Sequence, residues 1–253
     1  RTNLDHTVSD KLNFALDLNT SYAQQANAVN GNRFQSPIAS SYTTSPLQGA
    51  YKPLLDDDGN FIGVSDELYT GLESDYIGLT GDNFLYSLPL NPVDVNTFRV
   101  LTKLSLDYKI LDFLKFSQTA TVDVITDDSK NFDDPTTNDG ETTNGSLDQT
   151  FDQNRALTTQ SFLKYFGDFG GGDHSIDAFV GFEYQRVNIK DFYAGGIGFA
   201  DGRLQTLDSA AEPQGVSGTI TNYSFVSYLS QVNYDFLDKY LLTVSYRRDG
   251  SSR

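Results

Sequence analysis

A chain of 253 residues with 34 acidic side chains against 18 lysines and arginines carries a formal charge of −16. That balance argues against nucleic-acid binding, since a phosphate-binding face needs Lys and Arg. Cysteine is absent, and the two histidines, His6 and His174, are far apart, which rules out disulfides and thiolate metal sites and leaves little for a histidine centre or triad.

Hydrophobic residues make up 38% of the chain, yet 13% are aromatic, with 15 tyrosines and 18 phenylalanines. Few core-fillers combined with many rings suit a membrane barrel, with its polar interior and aromatic rims, better than a soluble core. No run approaches 18 consecutive apolar residues, so no transmembrane helix is expected.

Four strand–turn–strand units follow in chain order. The first runs from Arg1 to about Gln25, turning at Val8–Lys11. Its second strand sets Leu12, Phe14, Leu16 and Leu18 against Asn13, Asp17, Asn19 and Ser21. The second spans about Thr97 to Asp127 and turns at Leu111–Phe113. Phe98, Val100, Leu104, Leu106 and Tyr108 oppose Thr97, Arg99, Lys103, Ser105 and Asp107; Phe116, Ala120, Val122 and Val124 oppose Lys115, Ser117, Thr119, Thr121 and Asp123. The third spans about Asn154 to Val187, with a turn expected through Gly167–Asp173. Ile176, Ala178, Val180, Phe182 and Tyr184 alternate with Ser175, Asp177, Gly181, Glu183 and Gln185. The fourth spans about Thr219 to Asp249, turning at Phe236–Asp238. Its closing run puts Tyr240, Leu242, Val244 and Tyr246 on one side and Thr243, Ser245, Arg247 and Asp249 on the other. A strand with one apolar and one polar face borders oil on one side and water on the other.

Three of the turns share a pattern: a ring four residues before an aspartate and an apolar residue four after it. These are His6/Asp10/Phe14, Tyr108/Asp112/Phe116 and Tyr234/Asp238/Leu242. Aspartate suits a turn because its side chain accepts from nearby backbone amides. Long polar connections, about 26–96, 128–153 and 190–218, are expected between the units. Short turns alternating with long loops, and strands of roughly 10–14 residues, are the arrangement of outer-membrane barrels. The expectation is therefore all-β: an antiparallel transmembrane barrel with short periplasmic turns and long external loops. The alternative is a secreted soluble β-sandwich that binds glycans, its apolar faces packed in two sheets.

Candidate chemistry is sparse. Asp56–Asn60 is oxygen-rich like a calcium loop, but no helices flank it, so an exposed aspartate–glycine turn is expected. The glycine-rich 167–172 stretch lacks the lysine and following helix of a phosphate loop. The many carboxylates isolate no acid–base pair, and no catalytic residue, cofactor or metal site is expected. Tyr42, Tyr51, Tyr69, Tyr76, Phe84 and Tyr86 in the longest loop are the substrate-contact candidates, since rings stack on the apolar faces of sugars. A loop of about 70 residues also needs rings for its own small core, and that use is favoured. Arg99, Lys103, Lys115, Asp123, Glu183, Gln185, Arg247 and Asp249 are expected on the wet face, lining a lumen or holding a plug.

The segment Tyr240–Arg253, YLLTVSYRRDGSSR, resembles a motif of the SusC-like TonB-dependent outer-membrane transporters of Bacteroidetes, as does Tyr228–Phe236, YLSQVNYDF. The opening Arg1–His6 and Lys52–Phe61 are similar to that family too, and the resemblance is most specific in the last 30 or so residues. It implies a 22-stranded barrel around an N-terminal plug and a SusD-like surface lipoprotein as lid. It further implies TonB-driven import of oligosaccharide or peptide through the outer membrane. No TonB box or plug is recognisable, so the chain is expected to be an internal barrel fragment of about a third of the ring.

Overall fold

The structure, a computed structural model, describes residues 1–27, 36–45, 47–73, 76 and 83–253. Strand β1 is Thr2–Ser9 and β2 is Leu12–Asn27. A short helix α1, Pro37–Thr43, a hairpin of β3, Tyr51–Leu55, and β4, Phe61–Leu68, and a helix α2, Phe84–Leu90, follow. The chain then makes β5, Val93–Leu111; β6, Leu114–Asp133; one helical turn α3, Asn138–Glu141; β7, Ser146–Phe169; β8, His174–Phe199; β9, Ala210–Phe236; and β10, Tyr240–Ser251. Among the described residues no helix is long and apolar enough to cross a membrane.

Eight strands form one antiparallel sheet in the order β1-β2-β5-β6-β7-β8-β9-β10, while β3 and β4 pair only with each other. Neighbours in the sheet are neighbours in the chain, apart from the inserted β3–β4 hairpin, so the sheet is a meander. It is open: among the described residues β1 pairs with β2 alone and β10 with β9 alone.

The recurrent turn pattern proves to be a register device. His6 stands opposite Phe14, Tyr108 opposite Phe116, and Tyr234 opposite Leu242. In each hairpin the aspartate sits at the turn, and the ring and the apolar residue meet across the ladder at the third rung above it. Such cross-strand pairs resist a one-residue slip, which would turn every side chain to the other face.

Following the register across the sheet assembles the two faces. Even-numbered residues of β2, β5, β6, β8, β9 and β10 share a face with odd-numbered residues of β7. That face carries Leu104, Val122, Leu157, Leu163, Val180, Phe182, Val232 and Val244, and among the described residues no second layer covers it. Val122 is 42% exposed, and Val180 and Val244 are 58% exposed. The face-to-face sheets required by a soluble sandwich are not found among the described residues. At the short-turn end the same face holds a stack of rings: Phe169 on His174 at 4.7 Å, His174 on Phe236 at 4.7 Å, and Phe236 on Tyr240 at 6.2 Å.

The strands run further than the sequence suggests. Residues 128–133 and 146–153, expected in a loop, are paired strand, as are 190–199 and most of 210–218. The connections shrink to 134–145 and 200–209. The physical reason is that beyond the apolar rows most positions on both faces are polar. The two-residue hydrophobic period vanishes there, although backbone pairing continues. Likewise β7 continues to Phe169, so the third turn is confined to Gly170–Asp173, where Gly170, Gly171 and Gly172 take φ of 66°, 75° and 102°. Of the expected loop 26–96, residues 26–27 and 93–96 are strand and the interior contains α1, α2 and the β3–β4 hairpin; residues 28–35, 46, 74–75 and 77–82 lie outside the described ones.

Candidate functional site

The face opposite the apolar rows is a lattice of cross-strand polar pairs. Arg99 grips Asp123 with two hydrogen bonds, Nε to Oδ1 at 2.9 Å and Nη2 to Oδ2 at 2.7 Å. Lys115 lies 3.1 Å from Asp107, which also accepts from the Ser117 hydroxyl at 2.6 Å. Gln160 donates to Glu183 at 2.5 Å. Arg247 Nε donates to both oxygens of Asp249 at 2.9 and 3.0 Å, and Ser227 donates to the same carboxylate at 2.5 Å. Lys103 and Gln185 share this face without a hydrogen bond or ion pair among the described residues. All eight wet-face candidates thus occupy one surface.

The ion pairs are half exposed, so each contributes little to stability. Their physical effect is to hold rotamers in place. The result is a field of fixed donors and acceptors. It suits hydrogen bonding to a polar solute or protein segment.

The six ring candidates are scattered at the long-loop end. Tyr42 is 86% exposed and Tyr51 45% exposed, whereas Tyr69 is only 6% exposed and packs against Tyr76 with ring centroids 5.5 Å apart. Phe84 opens α2 half-buried, and the Tyr86 hydroxyl donates to Thr136 Oγ1 at 2.8 Å. Some of these rings therefore serve the loop's own packing, and Tyr42 and Tyr51 are the open ones.

Asp56 closes the β3–β4 turn. Its Oδ1 accepts from the amides of Asp58 at 3.0 Å and Asn60 at 2.7 Å, and Gly59 supplies the left-handed φ of 84°. Backbone amides thus take up that carboxylate, and its pKa is lowered chiefly by the Asn60 amide and side chain.

Glu73 anchors the same hairpin. Its carboxylate accepts from the Thr70 amide and hydroxyl and from the Gly71 amide, all at 2.9–3.0 Å, and lies 3.3 Å from Lys52 Nζ. Burial works against the charged form, but the bonds from Thr70 and Gly71 outweigh it and hold the pKa at about 2, below the usual 4.5. A carboxyl with a lowered folded pKa stabilises above its unfolded value and loses that contribution as pH falls toward the folded one. Protease resistance of this segment should therefore be level above about pH 5 and decline toward about pH 2, and Glu73→Gln should flatten the decline. A wild-type profile flat from about pH 6 to 3 would remove Glu73 as the anchor.

Sequence reasoning missed the cluster that organises the long-loop end. Asn91 Oδ1 accepts from the Asp134 amide at 2.8 Å, and Asn91 Nδ2 donates to Thr137 Oγ1 at 3.2 Å. Thr137 is wholly buried, and its hydroxyl donates to the Asp134 carbonyl at 2.8 Å. Gly140 lies so close to this turn that a β-carbon there would stand 2.1 Å from the Asp134 oxygen. Beside it Phe132, Leu147 and Phe199 form the one buried apolar cluster among the described residues, with Leu207 and Ala210 against it. Isolated polar residues in a polar stretch carry no periodic signal, so only the folded structure shows that they meet.

With this arrangement in hand, comparison with known proteins is specific. Along its whole length the chain is 25% identical to the TonB-dependent receptor P26 of Formosa agariphila, of which it spans 24%. Over 41% of its length it is 30% identical to TonB-dependent receptor P3 of the same organism, covering 10% of that protein. The fold matches the RagAB peptide transporter structure with a TM-score of 0.71 over 99% of this chain and 27% of the other, at 17% identity. No family model matches the chain. The chain spans about a quarter of the length of the curated relative it matches end to end. These likenesses bear out the resemblance to SusC-like TonB-dependent transporters carried by Tyr228–Phe236 and Tyr240–Arg253, and the antiparallel sheet is of the type that builds their barrels.

Proposed function

We propose that this chain forms part of the barrel wall of a TonB-dependent outer-membrane transporter that imports a polar nutrient, an oligosaccharide or a peptide. The observation that carries this reading is the sheet itself, with one face uncovered and apolar and the other an ordered polar lattice. A wall between hydrocarbon and an aqueous lumen needs that partition. The uncovered face meets outer-membrane lipid. Arg99, Lys103, Lys115, Asp123, Glu183, Gln185, Arg247 and Asp249 line the lumen or hold a plug domain. The short turns face the periplasm, and the 134–145 and 200–209 loops, with the β3–β4 hairpin, face outward.

In this reading a SusD-like surface lipoprotein closes over the long-loop end, and TonB supplies the energy. Tyr42 and Tyr51 are the rings open to substrate. The protein's task is gated passage, with no catalytic step.

The test is uptake by cells carrying the full-length receptor. Labelled peptides and oligosaccharides are offered in parallel to the parent, a receptor deletion and a TonB deletion. One substrate class should enter only when both receptor and TonB are present. Undiminished uptake of every class in both deletions would overturn the proposal.

A further inference from the structure

The charges of this acidic chain are sorted by face where the sheet rises past its apolar belt. On β8 the outward row reads Ile176, Ala178, Val180, Phe182, Tyr184 and then Arg186. On β7, read back from the turn, it ends at Leu157 and then Arg155; on β10 it ends at Tyr246 and then Arg248. Three rows thus leave the belt through an arginine. Further out lie Lys130 and Lys190 on the same face, with only Asp94 and Asp128 among the outward carboxylates of β5–β8 at this level. The opposite face at this level carries Asp123, Asp127, Asp133, Asp148, Asp152 and Asp191.

Three of the outward cations converge. Arg155 stands directly opposite Asn188, while Arg186 and Lys190 lie two residues before and after Asn188 in the same row. Directly opposed residues have β-carbons about 5 Å apart and diagonal ones about 7–8 Å apart, within joint reach of one anionic group. All three side chains are exposed, and none has a carboxylate within 4 Å among the described residues. Asn188 is held in place by its hydrogen bond to Asn222 at 2.8 Å. Like charges side by side in a sheet repel, so the cluster is unfavourable unless an external anion offsets it. Arginine offers a planar fork that grips phosphate with two bonds, and a partner pressed against a lipid-facing wall is itself a lipid.

We infer that Arg155, Arg186 and Lys190 form a docking site for the phosphorylated headgroups of lipids in the outer leaflet, seated just beyond the apolar belt. The inference rests on the outer-membrane placement proposed above and adds a specific lipid contact to it. The phosphate meets the cations, and the acyl chains lie along the Val180 and Leu157 rows below. Anchoring the wall to its leaflet at this height sets its depth and tilt.

The full-length receptor in phosphatidylcholine nanodiscs doped with lipid A tests this. Wild type should bind phosphorylated lipid A at least about tenfold more tightly than the R155Q/R186Q/K190Q variant. Dephosphorylated lipid A should bind both equally weakly, and millimolar inorganic phosphate should not displace the lipid. The K11Q/K164Q variant, which removes cations at the short-turn end and on the inner face, should bind as wild type does. The inference is overturned if the triple variant retains wild-type affinity, or if the phosphate on the lipid makes no difference. It is also overturned if free phosphate competes, or if the K11Q/K164Q control loses as much. A receptor that holds phosphorylated lipid A but imports nothing would overturn the import reading alone; one that imports without lipid preference would overturn this inference alone.

Discussion

Replacing Phe132 by alanine is expected to cost roughly 3–5 kcal/mol at the long-loop end, the range for deleting a fully buried ring. Phe132 is 0% exposed and packs edge-to-face on Phe199 with centroids 5.2 Å apart. Leu147, also 0% exposed, lies opposite Phe132 in the ladder, and Leu207 folds over both from the 200–209 connection. One ring therefore joins three strands and a loop. Its loss leaves a cavity that the paired backbones on either side cannot collapse to fill. The damage should stay local, because the ladder between β6 and β7 runs unbroken from Asp133 to Leu114. Amide exchange at the outer ends of β6, β7 and β8 should quicken, and protease should cut 134–145 and 200–209, while the belt stays protected. Unchanged exchange at those outer ends would show that the cluster does not hold the loops.

Val180→Arg should destabilise folding into lipid vesicles by roughly 2–4 kcal/mol, the cost of a cation on the lipid face near the bilayer midplane. Val180 is the third of five apolar residues in the β8 row and stands between Leu163 and Ser230. Its 58% exposure in this sheet means that nothing from the described protein shields it. The comparison that decides the matter lies in the same row. In the proposed placement Arg186, six residues further out on the same face, reaches the headgroup region. The same side chain is thus tolerated at one depth and costly at another. Val180→Leu should refold like the parent. If Val180→Arg refolds as well as Val180→Leu, that face does not meet hydrocarbon.

The belt portions of the strands were legible from residues alone. Phe98–Tyr108, Phe116–Val124, Ile176–Tyr184 and Tyr240–Tyr246 alternate because one face of the sheet is apolar and the other polar, and period-two alternation is the imprint of that difference. The turns at Asp112 and Asp238 were legible for a local reason: aspartate satisfies turn amides, and the flanking ring and apolar residue meet across the ladder. The wet-face residues followed from the same parity, so all eight share one face.

The outer third of the sheet was not legible. From Thr126 to Asp133 and from Ser146 to Gln153 polar residues dominate both faces, with Phe132, Leu147 and Phe151 as isolated exceptions, so the run reads as loop. What keeps it in strand is the neighbouring chain, whose amides and carbonyls pair with it; that energy belongs to no residue singly. The meeting of Asn91 with Asp134 and Thr137, 43 and 46 residues away, is of the same kind. So is the convergence of Arg155 with Arg186 and Lys190 around Asn188. Alternation along one strand is a local consequence of solvent and is written in the sequence. Which strand lies beside which, and in what register, depends on long-range pairing, and that alone decides which charges share a face and which loops share a core.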